Sequence, residues 1–117
     1  MSMDLLPTLL SMADPGLALP SGLDGQNILP VLRGEKPEHD FMYWSFGQSR
    51  AVRRGDWKLI LNPPNFPGEE VKAPVWLSNL EADPAEVNNL VDSQRDRVVE
   101  LTARLRAWER EVGLLQE

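Results

Sequence analysis

One apolar stripe governs what this chain can become. Val98, Leu101, Leu105, Trp108 and Val112 recur at spacings of three and four residues, the period of a single helix face. Ser93 stands just ahead of it as a capping residue, with Asp96 three positions later. Such a helix must lay its stripe against other apolar surface. The natural partners upstream are Trp57 and Trp76, and burying side chains of this size contributes roughly 2–3 kcal/mol each.

Those tryptophans sit in segments of strand composition. Phe41 to Phe46 is aromatic-rich, and Ala51-Val52 leads through Arg54-Gly55 into Trp57-Lys58-Leu59-Ile60-Leu61, where Trp57, Leu59 and Leu61 alternate onto one face. Two tight connections make this a three-stranded antiparallel meander. Asn62 to Glu70, with Pro63, Pro64, Pro67 and Gly68, is turn-forming. Pro74 to Ser78 then supplies a fourth strand, placed at an edge because proline cannot donate to a ladder.

Ahead of the meander, Asp4 reads as the N-cap of a short helix carrying Pro7 in its first turn and Leu5, Leu6, Leu9, Leu10 and Met12 on one stripe, stopped by Asp14-Pro15-Gly16. Leu17 to Gly25 is an irregular connection, and Ile28 to Leu32 a brief helical turn ending at Arg33-Gly34. The fold expected is therefore α+β: a four-stranded antiparallel sheet packed against a C-terminal helix, preceded by a short N-terminal helical segment. The division expected is residues 1–34 as helical segment and linker, and residues 35–117 as the α+β domain.

Composition narrows the function. A 117-residue chain with 42% apolar and 26% charged residues has room for one modest core, and its longest apolar runs fall far short of the ~20 residues that cross a bilayer. It reads as soluble, without a membrane partner. The net charge of −6, with clustered cations only at Arg50, Arg53 and Arg54, disfavours nucleic acid. Without cysteine the chain has no disulfide, thiolate metal site or cysteine nucleophile. The N-terminal stretch lacks the basic start of a signal peptide, so the compartment stays open.

Four stretches, read in order, carry a resemblance: Asp4-Leu5-Leu6-Pro7-Thr8-Leu9-Leu10; Leu23-Asp24-Gly25-Gln26-Asn27-Ile28-Leu29-Pro30-Val31-Leu32-Arg33-Gly34; Arg50 to Ile60, with Arg53-Arg54-Gly55-Asp56-Trp57-Lys58; and Leu80-Glu81-Ala82-Asp83-Pro84-Ala85-Glu86-Val87-Asn88-Asn89-Leu90. Together they resemble the C-terminal third of sulfatases, the sulfuric-ester hydrolases. The resemblance implies a parent enzyme, often exported, that uses calcium and a formylglycine made within a Cys/Ser-x-Pro/Ala-x-Arg motif. It also implies that this machinery precedes the region seen here. The expected role is thus an accessory domain with no catalytic residue, metal site or cofactor of its own, inactive alone, whose partner is the N-terminal catalytic domain. A stand-alone carbohydrate- or protein-binding module is the alternative. With its usual docking surface exposed, the isolated chain is expected to self-associate.

Candidate chemistry within the chain is sparse. Ser49-Arg50-Ala51-Val52-Arg53 fits the serine form of the modification motif, but it reads as a strand and continues as Arg54-Gly55-Asp56-Trp57, so it is set aside. His39, the only histidine, lies in a polar run with Glu38 and Asp40 and reads as a solvated loop. Asp92, Asp96, Glu100, Glu109 and Glu111 have arginine neighbours at helical distances and read as a salt-bridged solvent face. The aromatic hairpin from Tyr43 to Arg50 offers the one candidate site. Trp44 would stack on a sugar or aryl group and Gln48 or Arg50 would approach the sulfate; the structural alternative makes Trp44 and Phe46 core residues and pairs Arg50 locally.

Overall fold

The structure, a computed structural model, describes residues 2–36, 39–65, 67, 70 and 72–115. Glu38 of the expected polar run and Phe66, Gly68 and Glu69 of the expected turn lie outside the described residues. The chain divides into two compact units, Met1–Asp40 and Phe41–Glu117.

The first unit holds a 3-10 turn, Ser2–Asp4, running into α1, Leu5–Ala13, and a four-residue α2, Leu29–Leu32. Its buried side chains are Asp4, Pro7 and Thr8, whereas Leu5, Leu6, Leu9 and Met12 are each more than half exposed. Asp4 does not cap α1, contrary to expectation: its backbone is already helical and its side chain makes no capping bond. Instead its Oδ1 accepts the Gln26 N–H at 2.8 Å and lies 2.8 Å from His39 Nε2. Thr8 completes the joint by donating its hydroxyl to the Asp4 carbonyl at 2.6 Å and accepting the Ile28 N–H at 3.0 Å.

That joint corrects a second expectation, because His39 is drawn out of solvent by the buried Asp4 carboxylate. Burial raises the carboxyl pKa of Asp4, but hydrogen bonds, among them those from Gln26 and His39, outweigh it and hold the group at about 2. Gly25 explains how the segments come so close. A Cβ there would lie 1.9 Å from the Met3 carbonyl oxygen, so only glycine fits.

The second unit is the expected sheet and helix. Strands β1 (Met42–Phe46), β2 (Ser49–Arg54), β3 (Trp57–Leu61) and β4 (Val75–Asn79) form one antiparallel sheet in the order β1-β2-β3-β4. Two-residue turns, Gly47-Gln48 and Gly55-Asp56, join the first three, with Gly47 at φ 55° and Gly55 at φ 56°. A glycine first in the turn matches the right-handed twist of the flanking strands.

Helix α3, Arg95–Glu111, covers one face. Val52, Leu59, Leu61 and Leu77 from the sheet and Leu101 and Leu105 from the helix form the core, with Tyr43 stacked on Trp108 at 5.1 Å. The helix starts at Arg95 without a side-chain cap, and Ser93 gives its hydroxyl to the Leu90 carbonyl instead. Trp57 lies on the helix side, beneath the Arg97 guanidinium at 4.2 Å. Trp76 does not. It pairs with Ile60 while its neighbour Leu77 pairs with Leu59, so alternation sends Trp76 to the opposite face.

Glu109 also departs from the solvent face expected of it. It is 2% exposed, held by Arg50 Nε at 3.2 Å and Arg106 Nη1 at 2.7 Å. Arg50 is carried to it by β2, where it shares the helix-side face with Val52. Glu100 behaves as expected, in an exposed pair with Arg54 at 2.6 Å.

Candidate functional site

The face away from α3 is where the structure leaves chemistry open. Cross-strand register places Trp44, Ala51, Ile60 and Trp76 in one row across all four strands. A second row runs Met42, Arg53, Lys58, Ser78. The small Ala51 beside Trp44 and Ile60 leaves a trough, and a cleft of about 570 Å³ opens there, lined by Trp44, Ser49, Arg53, Lys58, Ile60 and Glu86 among others. A smaller one of about 260 Å³ adjoins it through Lys58, Ile60 and Glu86 and reaches Trp76 and Lys72.

The wall facing the strands is the 83–90 loop, and its shape follows from two side chains. Asp83 accepts the Asn88 N–H at 2.8 Å and the Asn88 side-chain amide at 3.2 Å, and its carbonyl accepts the Glu86 N–H at 3.1 Å. These donors, the Asn88 N–H first, lower the Asp83 pKa. Asn89 holds the loop to the sheet: its Oδ1 accepts the Leu77 N–H at 3.1 Å, its Nδ2 donates to the Val75 carbonyl at 2.9 Å, and Leu90 N–H reaches the Leu77 carbonyl at 2.9 Å.

Between those anchors Glu86 takes a left-handed backbone, φ 55°, unusual for a residue with a side chain. Its Oε2 pairs with Lys58 Nζ at 2.7 Å, while Oε1 is buried with no hydrogen-bond partner among the described residues. Arg53 gives its Nε to the Gly55 carbonyl at 2.8 Å and lines the cleft. With Arg53 and Lys58 against Glu86, the described residues lining this cleft carry a cationic excess in a chain whose net charge is −6.

The three residues singled out from sequence are not brought together. Trp44 is 39% exposed on the open face, and Phe46 is exposed as well, so neither is core. Gln48 is exposed at the turn. Arg50 lies on the helix side, where its Nη1 donates to the Gly47 and Ser49 carbonyls in addition to the Glu109 contact. Ser49 to Arg53 is strand, as the sequence suggested, and not the start of a helix. The open-face residues Arg53, Lys58, Glu86 and Trp76 were missed. The alternation that put Trp57, Leu59 and Leu61 inward could have found Lys58 and Ile60 facing outward.

Among the described residues, no group of three or more His, Asp or Glu side chains is placed to hold a metal ion, and no helix is long and apolar enough to cross a membrane. What the fold defines is a small antiparallel α+β domain with one face sealed by a helix and the other bearing a cationic, aromatic cleft.

The comparisons place that domain. No protein-family model matches the chain. An uncharacterized sulfatase of Schizosaccharomyces pombe is 30% identical over 128 aligned positions, which cover 97% of this chain and 22% of that protein. A Bacteroides thetaiotaomicron structure from work on the metabolism of multiple glycosaminoglycans superposes with a TM-score of 0.66 at 25% identity, covering 92% of this chain and 24% of its own. A Bacteroides fragilis structure described as a sulfatase has a TM-score of 0.65 at 21% identity over 94% of this chain, which shows a shared fold. The chain is a sulfatase homologue and corresponds to the C-terminal region of that family, in agreement with the sequence resemblance. It spans only about a quarter of the length of these relatives.

Proposed function

We propose that this chain acts as the C-terminal accessory domain of a sulfuric-ester hydrolase and hydrolyses no ester alone. The observation that carries the reading is coverage: nearly all of this chain matches, yet it accounts for 22% of one relative and 24% of another. The remaining region of such an enzyme would be its partner and would supply the formylglycine and calcium for which the described residues offer no ligand cluster. In this reading residues 1–34 belong with that catalytic region and residues 35–117 form the accessory domain.

The hairpin would face substrate in the complete enzyme. Trp44 and Gln48, both exposed, are the contacts; Arg50 serves by fixing the turn through the Gly47 and Ser49 carbonyls. A relative of the same fold, 24% identical, was solved in complex with its substrate D-glucosamine-2-N,6-O-disulfate, and a sulfated sugar is the substrate class we assign to the parent. The test is sulfate release from an aryl sulfate and a sulfated glucosamine. The purified chain should release none, and a longer gene product carrying an upstream Cys/Ser-x-Pro/Ala-x-Arg motif should be active. Turnover by the chain itself sinks the proposal.

A further inference from the structure

We infer that the open face of the sheet is itself a binding surface for a sulfated saccharide, an inference that rests on the sulfatase reading and assigns residues the hairpin hypothesis did not contain. Three independent features converge there. Trp44 and Trp76 stand at the two outer strands of one row with Ala51 and Ile60 as the floor, about 14 Å apart at the backbone for three strand spacings. That span accommodates a short saccharide, and the indole faces of the exposed Trp44 and the half-buried Trp76 can stack on the apolar faces of sugar rings.

The second feature is charge. Arg53 and Lys58 occupy the neighbouring row, and among the described residues that line the cleft one cation remains in excess after Lys58 pairs with Glu86. A guanidinium presents paired N–H donors suited to a sulfate oxygen pair. The third is an acceptor without a donor. Among the described residues, Glu86 Oε1, enclosed at the cleft wall, has no hydrogen-bond partner, and its residue's backbone is held at φ 55°. A buried carboxylate oxygen left unmatched is costly, and a sugar hydroxyl is the donor that would satisfy it. Ring, anion and hydroxyl describe one ligand, whereas a protein partner would have no particular need of all three.

The experiment titrates the 117-residue chain with a 6-O-sulfated glucosamine disaccharide, the same disaccharide without sulfate, and inorganic sulfate, following tryptophan fluorescence and the indole N–H resonances. The sulfated disaccharide should give a saturable change at Trp44 and Trp76, with the other two at least tenfold weaker. Trp44→Ala and Arg53→Gln should each weaken it tenfold or more, Trp44→Phe should retain part of the affinity, and Val99→Ala on the exposed side of α3 should change nothing. An absent response, equal response to all three probes, or affinity that survives both Trp44→Ala and Arg53→Gln in folded protein overturns the inference. Sulfate release in the same tubes would contradict the proposed lack of activity, and the titration would still decide the binding question.

Discussion

The Asn89 side chain pairs with Leu77 as a neighbouring strand would. Its Oδ1 takes the Leu77 N–H at 3.1 Å, its Nδ2 reaches the Val75 carbonyl at 2.9 Å, and the Leu90 N–H goes to the Leu77 carbonyl at 2.9 Å. The outer side of β4, an edge that would otherwise be a template for another chain, is closed here by a carboxamide and one backbone group.

Asn89→Ala should therefore act twice. Losing these bonds at a partly wetted site should cost about 1–2 kcal/mol, read as a lower urea midpoint with an unchanged slope. The reopened edge should also raise the apparent mass in light scattering as concentration increases. Asn89→Asp keeps the acceptor for Leu77 N–H and loses the donor to Val75, so its midpoint should fall between the two.

The Glu109 carboxylate is the most consequential charge in the core. With Arg50 Nε at 3.2 Å and Arg106 Nη1 at 2.7 Å it is sealed at 2% exposure. Glu109→Ala should destabilise by about 3 kcal/mol, because Arg50 is then left half-enclosed beside an apolar gap. Arg50→Met with Glu109→Leu should recover much of the loss, and a double-mutant cycle in urea gives the coupling. If Glu109→Ala alone proves neutral, the pair is not structural.

How far the sequence could be read follows from these same residues. Strand runs, two tight connections, one of them at Gly55, and the helical stripe were legible because period and turn chemistry are local properties. The fate of Glu109 was not, since a carboxylate one turn from Arg106 and beside Arg110 looks like part of a solvated charged face until the sheet brings Arg50 under it. Trp76 was misplaced because strand alternation fixes a face only once the β3-β4 register is known. Asp4 had the identity and position of a cap, but a buried contact 22 residues away, to Gln26, took its side chain instead. Only Trp44 of the open face was anticipated; Arg53, Lys58 and Glu86 gather there through pairing and through a loop shaped by Asp83.

Acid should loosen the first unit. The folded Asp4 pKa of about 2 lies below its ordinary 3.8, so its contribution is fully present above pH ~4 and is lost as pH falls toward 2. Amide exchange at Gln26, corrected for intrinsic rates, should show protection declining through that window. Asp4→Asn should have lower protection at neutral pH and no step on acidification. A Gln26 amide that stays protected below pH 2 would contradict the carboxylate's role.

Gly25→Ala tests the close approach directly. Its methyl would meet the Met3 carbonyl at 1.9 Å, too near for any local adjustment, so the 3-10 turn must separate from the 25–28 segment. Signals of Ser11, Gln26 and Ile28 should disperse poorly in the amide spectrum. Those of Val52, Leu59 and Leu105 should be unchanged, because their core is built wholly within Phe41–Glu117. Cooperative loss of both sets of signals would show that the two units fold as one.

The leucine-rich side of α1 makes the last expectation. Leu5, Leu6 and Leu9 are 55%, 54% and 60% exposed, while the buried positions of the same helix are Pro7 and Thr8, the reverse of an ordinary amphipathic arrangement. Contiguous apolar side chains on a helix associate when concentrated, and in the proposed parent they would be covered by the rest of the enzyme. The isolated chain should therefore self-associate in light scattering. Leu6→Glu together with Leu9→Glu should return it to a monomer without lowering the urea midpoint of the sheet unit, since neither side chain contributes to that core. A wild-type chain that stays monomeric at high concentration would mean that this stripe is tolerated in water as it stands.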